Sequence, residues 1–482
     1  MKLGTLVLAG VFLAAGVAAA RQAQPQTATP PQNPTPQRPL FRGGARFVRV
    51  DVFPTGKDGK PIEGLTAEDF ELFEDGKRQA VDTFEFVRIE PELEEARRDP
   101  ESQREGEEWA KDPRARVFVV VLDRWHSEVL GGARMRRPLT DMLDRLIGPR
   151  DVFGVTTPEM SAQALVLGRK TVTIGDMLER HWTWGALATM TDRDEAQEFI
   201  EDCYGPTQGP AVNLPGSVFD QGLARELLAR KRERDTIEHL DGLVEKLASI
   251  RDEKKAVVVV TQGWRQYTPN EARARSLHSA LPGIYSGGGR ISTRDPRPVA
   301  SGGGVDLAVC AAQANSLLMM DTRRLFKDML SRAQRGNVSF YPVDPRGLPV
   351  FDTPLSQGGP VSVADDFAEL RAKRDGLMEL ANNTDGIALI HNNDLSATLR
   401  RFADSLGTYY LLGYYSANTK SDGAFRRIEV NVRQPDVNVR ARRGYFAPTQ
   451  AEADAVASGR APESAAPAAE AGARASALAR LG

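Results

Sequence analysis

Val117-Phe118-Val119-Val120-Val121-Leu122-Asp123 is a run of six apolar residues that stops on a carboxylate. A strand built from it has no polar side to turn to water, and such β-branched runs belong to strands covered on both faces of a parallel sheet. Ala256-Val257-Val258-Val259-Val260-Thr261, Asn337-Val338-Ser339-Phe340-Tyr341-Pro342-Val343-Asp344 and Gly386-Ile387-Ala388-Leu389-Ile390 repeat the pattern. Between the runs, apolar residues at three- and four-residue steps predict helices over 134–146, 221–250, 315–334 and 366–382. Strand and helix in alternation give an α/β fold, a doubly wound, mostly parallel sheet. Ligands meet such sheets outside the C-terminal strand ends, so Asp123 and the Thr261-Gln262-Gly263 turn mark the expected rim.

Outward from this centre the pattern changes. Toward the N-terminus, short alternating strands and Asp-Gly turns (Asp58-Gly59, Asp75-Gly76) predict a small β, immunoglobulin-like domain over 44–90. A charge-dense linker over 91–115 joins it to an α/β domain over 116–406. That domain carries a Gly-rich insertion over 265–313, with neither GxGxxG nor a Walker lysine to cradle phosphate. Tyr409-Tyr410-Leu411-Leu412-Gly413-Tyr414-Tyr415, Arg427-Ile428-Glu429-Val430-Asn431-Val432 and Gly444-Tyr445-Phe446 predict a C-terminal β-strand extension over 407–447.

The ends read differently again. Residues 1–20 have one cation, Lys2, then an apolar run and the small residues Ala18-Ala19-Ala20, the pattern of a signal peptide too short to span a membrane. A Pro/Gln-rich linker over 21–43 and an Ala-rich tail over 448–482 have too little apolar surface to fold. A secreted or periplasmic chain with no membrane segment after cleavage is the expectation. The 63 Lys and Arg against 65 Asp and Glu leave a net charge of −2, which offers nucleic acid nothing. Two cysteines exclude a four-cysteine zinc site. In an oxidising compartment, Cys203 and Cys310 are expected to form one disulfide that pins the 265–313 insertion.

Five motifs in this order resemble the secreted bacterial VWFA-related domain family. They are Val48-x-Val50-x-Val52, Gly64-Leu65-Thr66-x-x-Asp69-Phe70-x-x-x-Glu74-Asp75-Gly76, Tyr341-Pro342-Val343-Asp344-Pro345-Arg346-Gly347-Leu348, Tyr409-Tyr410-Leu411-Leu412-Gly413-Tyr414 and Arg443-Gly444-Tyr445. The resemblance implies a von Willebrand factor A-like fold (VWA-like) and a metal-ion-dependent adhesion site, in which Asp-x-Ser-x-Ser, a loop Thr and a later Asp hold Mg²⁺.

This chain departs from that pattern. Asp123 and Ser127 match the first Asp and the second Ser, but Trp125 stands in place of the first Ser and Gln262 in place of the second carboxylate. An indole has no oxygen to give, and an amide is a weaker ligand than a carboxylate, whereas Mg²⁺ asks for about six oxygens. The metal site is therefore expected to be degenerate, with no cofactor, and with Thr207 as the candidate loop Thr. Asp123 and Ser127 are read as ordering the loop. His126 is expected to diverge from Asp123 along an extended segment, and no G-x-S-x-G elbow exists.

Trp125, Trp264, Trp182, Trp184 and Tyr267 are read as an exposed aromatic set. Trp125, Gln262 and Trp264 at the strand ends are expected to contact an envelope or extracellular protein. A binding module rather than an enzyme follows. The competing readings are a hydrolase built on the same rim and a structural envelope component.

Overall fold

A computed structural model describes residues 47–127, 129–172, 175, 195–205, 221–251, 253–280, 307–353 and 362–458. The expected signal peptide, the 21–43 linker, Thr207, Trp182, Trp184, most of the Gly-rich insertion and the tail beyond residue 458 lie outside them.

The chain enters through β1 (Phe47–Thr55), β2 (Phe70–Glu74), β3 (Lys77–Gln79) and β4 (Thr83–Arg88). Helix α1 (Gln103–Ala110) follows, capped by Ser102, whose hydroxyl accepts from Glu105 N. Next come β5 (Val117–Leu122), α2 (Val129–Leu146), β6 (Val152–Thr156), β7 (Leu167–Gly168), α3 (Glu195–Tyr204) and α4 (Gln221–Ile250). They are followed by β8 (Lys255–Val260), α5 (Glu271–Ala280), α6 (Leu307–Leu318), α7 (Thr322–Arg335), β9 (Val338–Val343), α8 (Val363–Asn382) and α9 (Leu395–Gly407). The chain closes with β10 (Thr408–Tyr415), β11 (Phe425–Val432), β12 (Asn438–Ala441), β13 (Gly444–Phe446) and α10 (Gln450–Ala457).

The run at 117–122 is β5, the middle strand of a five-stranded sheet ordered β7-β6-β5-β8-β9. All its pairings are parallel except β6 with β7. Every residue of β5, β8 and β9 is buried, as their uniform apolarity demands. Alternate side chains serve two cores. Phe118, Val120, Leu122, Val258 and Val260 face α2 and α9, whereas Val119, Val121, Val257 and Val259 face α4 and α7. Each fully buried valine or leucine is worth roughly 1.5–3 kcal/mol against exposure.

Three local readings change. The stretch 315–334 is two helices, because Asp321 caps α7 by accepting from Arg324 N. Arg230 Nη1 donates to the carbonyls of Leu317 (3.5 Å) and Leu318 (3.4 Å), which lets α6 end there. The run 386–390 contributes only one parallel bridge, Leu389 with Val343, between positive-φ residues Asp385 and His391. Conversely, β6 carries Gly154, which hides it in the sequence. A Cβ there would lie 2.8 Å from the Val166 carbonyl of the neighbouring segment.

The strands at the two ends of the chain share their sheets. β1 lies between β12 and β10, and β10 pairs with β4; β11 lies between β13 and β2. Val48, Val50, Val52, Phe70 and Leu72 pack with Tyr410, Leu412, Tyr414 and Ile428 between the two four-stranded sheets. The residues expected as a small domain and a separate extension thus interleave, and the α/β layer leaves and re-enters between β4 and β10.

The sandwich meets the N-terminal ends of the parallel strands. Arg49 pairs with Glu253 and Arg443 with Asp385, and Lys254 Nζ lies 5.1 Å over the Phe53 ring. The stretch 91–115 differs from a solvated linker too. Arg97 is 3% exposed and binds Asp144 and the Glu92 carbonyl, and Trp109 packs on the core.

Candidate functional site

With the sandwich at one end of the strands, the loops at the other end carry the expected rim. Asp123 N still donates to the Val260 carbonyl (3.1 Å), so Asp123 ends β5 without leaving the sheet, and it is fully buried. The next residues turn back at once. His126 N reaches Asp123 Oδ1 at 3.2 Å, and His126 Nδ1 lies 3.0 Å from Oδ1 and 2.8 Å from Oδ2. Expected divergence of His126 is therefore corrected: the segment is a turn, and a three-residue step in a turn brings the imidazole over the carboxylate.

The loop after β8 closes on the same group. Thr261 Oγ1 donates to Asp123 Oδ2 at 2.9 Å and accepts from Gly263 N at 3.0 Å. Gln262 N donates to the His126 carbonyl at 2.7 Å. Arg346, from the loop after β9, donates to the Gln262 carbonyl at 3.3 Å and grips Asp344 through Nε (3.2 Å) and Nη2 (2.9 Å). Burial opposes the charge of Arg346, but Asp344 and Asp352 more than offset it and hold the guanidinium above its ordinary range. Three successive loops are thereby tied in a row.

The expected aromatic rim is corrected in part. Trp264 is 2% exposed and sits edge-on to His126 and to Phe326, each at 6.1 Å between ring centres. An indole in that position is core and cannot reach a partner. Gln262 is 9% exposed, so its side chain is buried as well. Trp125 is half-buried on the turn and keeps an accessible side. Tyr267, read as exposed, has its hydroxyl pushed up by burial and by Glu233, and Arg230 lies 4.5 Å over its ring.

Beneath the rim lie two titratable groups that the sequence reading did not single out. Glu233 accepts from Arg265 N and Tyr267 N, both at 3.0 Å, and from the Thr322 hydroxyl; burial pushes its carboxyl up. His239 Nδ1 lies 2.9 Å from the Met160 carbonyl and Nε2 3.2 Å from Thr156 Oγ1, and burial pushes the imidazole down. Glu233, Ile237, Leu240 and Val244 share one helical face, as do Thr236, His239 and Leu243. A polar residue on such a stripe is the signal that finds both.

The donor set does not fit Mg²⁺. Both Asp123 oxygens accept hydrogen bonds from His126 and Thr261, and Trp125 offers no oxygen. Among the described residues no group of three or more His, Cys, Asp or Glu gathers as a metal set. Among the described residues Ser127 Oγ, Gln262 Nε2 and Trp264 Nε1 are buried without a hydrogen-bond partner. Ser127 Oγ therefore makes no bond to His126.

Cys203 of α3 and Cys310 of α6 stand at disulfide distance, with 2.07 Å between sulfurs and 5.6 Å between Cα atoms. Both are buried, and the Tyr204 hydroxyl donates to the Cys310 carbonyl at 2.7 Å. Among the described residues, no helix is long and apolar enough to cross a membrane. No protein-family model and no curated protein matches the chain.

Proposed function

We propose that the chain is a secreted or periplasmic, von Willebrand factor A-like binding module that contacts another envelope or extracellular protein through the loops at its strand ends, with no ion in the contact. The observation that carries this is the closure of Asp123. Its carboxylate, buried at the end of the central strand, is occupied by His126 Nδ1 at 2.8 Å and Thr261 Oγ1 at 2.9 Å. The loops are ordered by these bonds, a task the ion performs in a metal-dependent adhesion site. Support for the fold comes from the mostly parallel order β7-β6-β5-β8-β9, with β7 alone reversed. Among the described residues Trp125, half-buried on the turn, is an aromatic side chain placed to meet a partner.

The test is capture from an envelope extract on immobilised mature protein, with and without EDTA. A protein retained in EDTA and lost with Trp125→Asp supports the reading. A protein released by EDTA, or held equally by the variant, contradicts it. The hydrolase reading draws on the same Asp123–His126 contact, and stoichiometric labelling of one serine by a fluorophosphonate would establish it instead.

A further inference from the structure

One cleft on the strand-end edge lies beside the tied loops and shares only Asp344 and Arg346 with them. It opens between the segment that follows β9 and helix α8, with a volume of about 330 Å³. Val350, Phe367, Leu370, Leu377 and Ile390 form its apolar wall. Two of these, Val350 at 66% and Phe367 at 48%, are more exposed than apolar side chains of their size usually are.

The lining carries three arginines, Arg346, Arg371 and Arg374, against one carboxylate. Its carboxylate, Asp344, is spent on Arg346, and both side chains are 8% exposed. Arg371 and His391 make no ion pair or hydrogen bond among the described residues. Among the described residues Arg374 Nε is buried with no hydrogen-bond partner, and its ion pair to Asp375, 61% exposed, spans 3.7 Å. One guanidinium unpaired among those residues, Arg371, and a second, Arg374, held only by a 3.7 Å ion pair to exposed Asp375 therefore stand beside uncovered apolar surface.

That combination selects its occupant. A guanidinium fork recognises a carboxylate through paired N–H donors, and a nearby apolar wall rewards a side chain that leaves water with it. Ligand sites begin at about 300 Å³, so the cleft takes one or two side chains rather than a domain edge. An extended peptide turns alternate side chains to opposite sides, and can present apolar groups to one wall while neighbouring acids reach the other.

We propose that this cleft docks an extended acidic segment of another protein, which seats an apolar side chain against Val350 and Phe367 and gives carboxylates to Arg371 and Arg374. The proposal rests on the strand-end edge as the contact face and adds the chemistry of what is contacted.

The test uses the mature full chain and three fluorescent heptapeptide pools read by anisotropy. In the first, Asp or Glu alternates with Phe, Leu or Ile. In the second, Asn and Gln replace the acids; in the third, Ala replaces the apolar residues. The first pool is expected to bind at least about tenfold more tightly than either control, and to weaken as salt rises. Arg371→Glu and Phe367→Ser alter exposed positions of α8, and each is expected to reduce binding of the first pool by about tenfold with an unchanged melting temperature.

No binding of the first pool, equal binding of the amide pool, or full binding by Arg371→Glu overturns the proposal. An envelope protein that is retained in EDTA, lost with Trp125→Asp and unaffected by Arg371→Glu would remove the cleft and leave the contact face standing.

Discussion

Asp123 accepts from His126 and Thr261 inside a site closed to water, and both donors lose their partner if the carboxylate is removed. Asp123→Ala is expected to lower the unfolding free energy by about 3 kcal/mol, measured by urea denaturation. A loss under about 1 kcal/mol would show that the loops do not depend on it. The spacing marked Asp123 because it ends an apolar run. It set His126 beside Asp123 but as a diverging side chain, since a turn of three residues leaves no trace in composition.

His239 makes a pH-dependent counterpart. Burial holds its imidazole neutral in the fold, below its ordinary range. The unfolded chain takes up that proton first as the pH falls, so this contribution to stability is present above about pH 6.5 and is lost below it. Unfolding free energy measured from about pH 7 to about pH 5 is expected to fall, and His239→Gln to flatten that fall. An unchanged slope in the variant would contradict the assignment.

At the scale of elements, the rim depends on how tightly the loop after β8 packs under α8. Gly263 sits at φ +89°, and a Cβ there would lie 2.8 Å from the Lys373 carbonyl. Gly263→Ala is expected to cost about 1–3 kcal/mol and to shift the fluorescence of the neighbouring Trp264. Native-like emission and stability would count against the close approach.

The helices joined by Cys203 and Cys310 enclose a sequence separation of 107 residues. Replacing both cysteines with serine is expected to cost about 2–5 kcal/mol, and a neutral result would argue that the bridge constrains little. Long, uniformly apolar strands announced themselves in the sequence, and so did the long helix α4. Short β6 did not, because Gly154 breaks its run. The break between α6 and α7 depends on Arg230, a residue far away in the chain that satisfies the helix-end carbonyls.

The whole molecule is held by contacts that no local pattern carries. Val50 pairs with Leu412, and the buried Glu74 carboxylate accepts from Tyr414 (2.6 Å), Ser416 (2.6 Å) and Tyr445 (3.1 Å). Alternation identified each strand separately. Only register across the full chain joins 47–88 to 408–446 in one sandwich. A chain ending at Gly407 is expected to leave 47–88 open to trypsin under conditions where the full chain resists, and equal resistance would mean those strands fold without their partners.

The same placement leaves the strand-end edge free of the sandwich, with its central carboxylate already satisfied. Calorimetric titration of the mature protein with Mg²⁺ and Mn²⁺ tests that claim directly. The expected result is no binding tighter than about 1 mM, with Asp123→Ala indistinguishable from the native chain. Saturable binding below about 1 mM that disappears in Asp123→Ala would contradict it and restore an ion to the site.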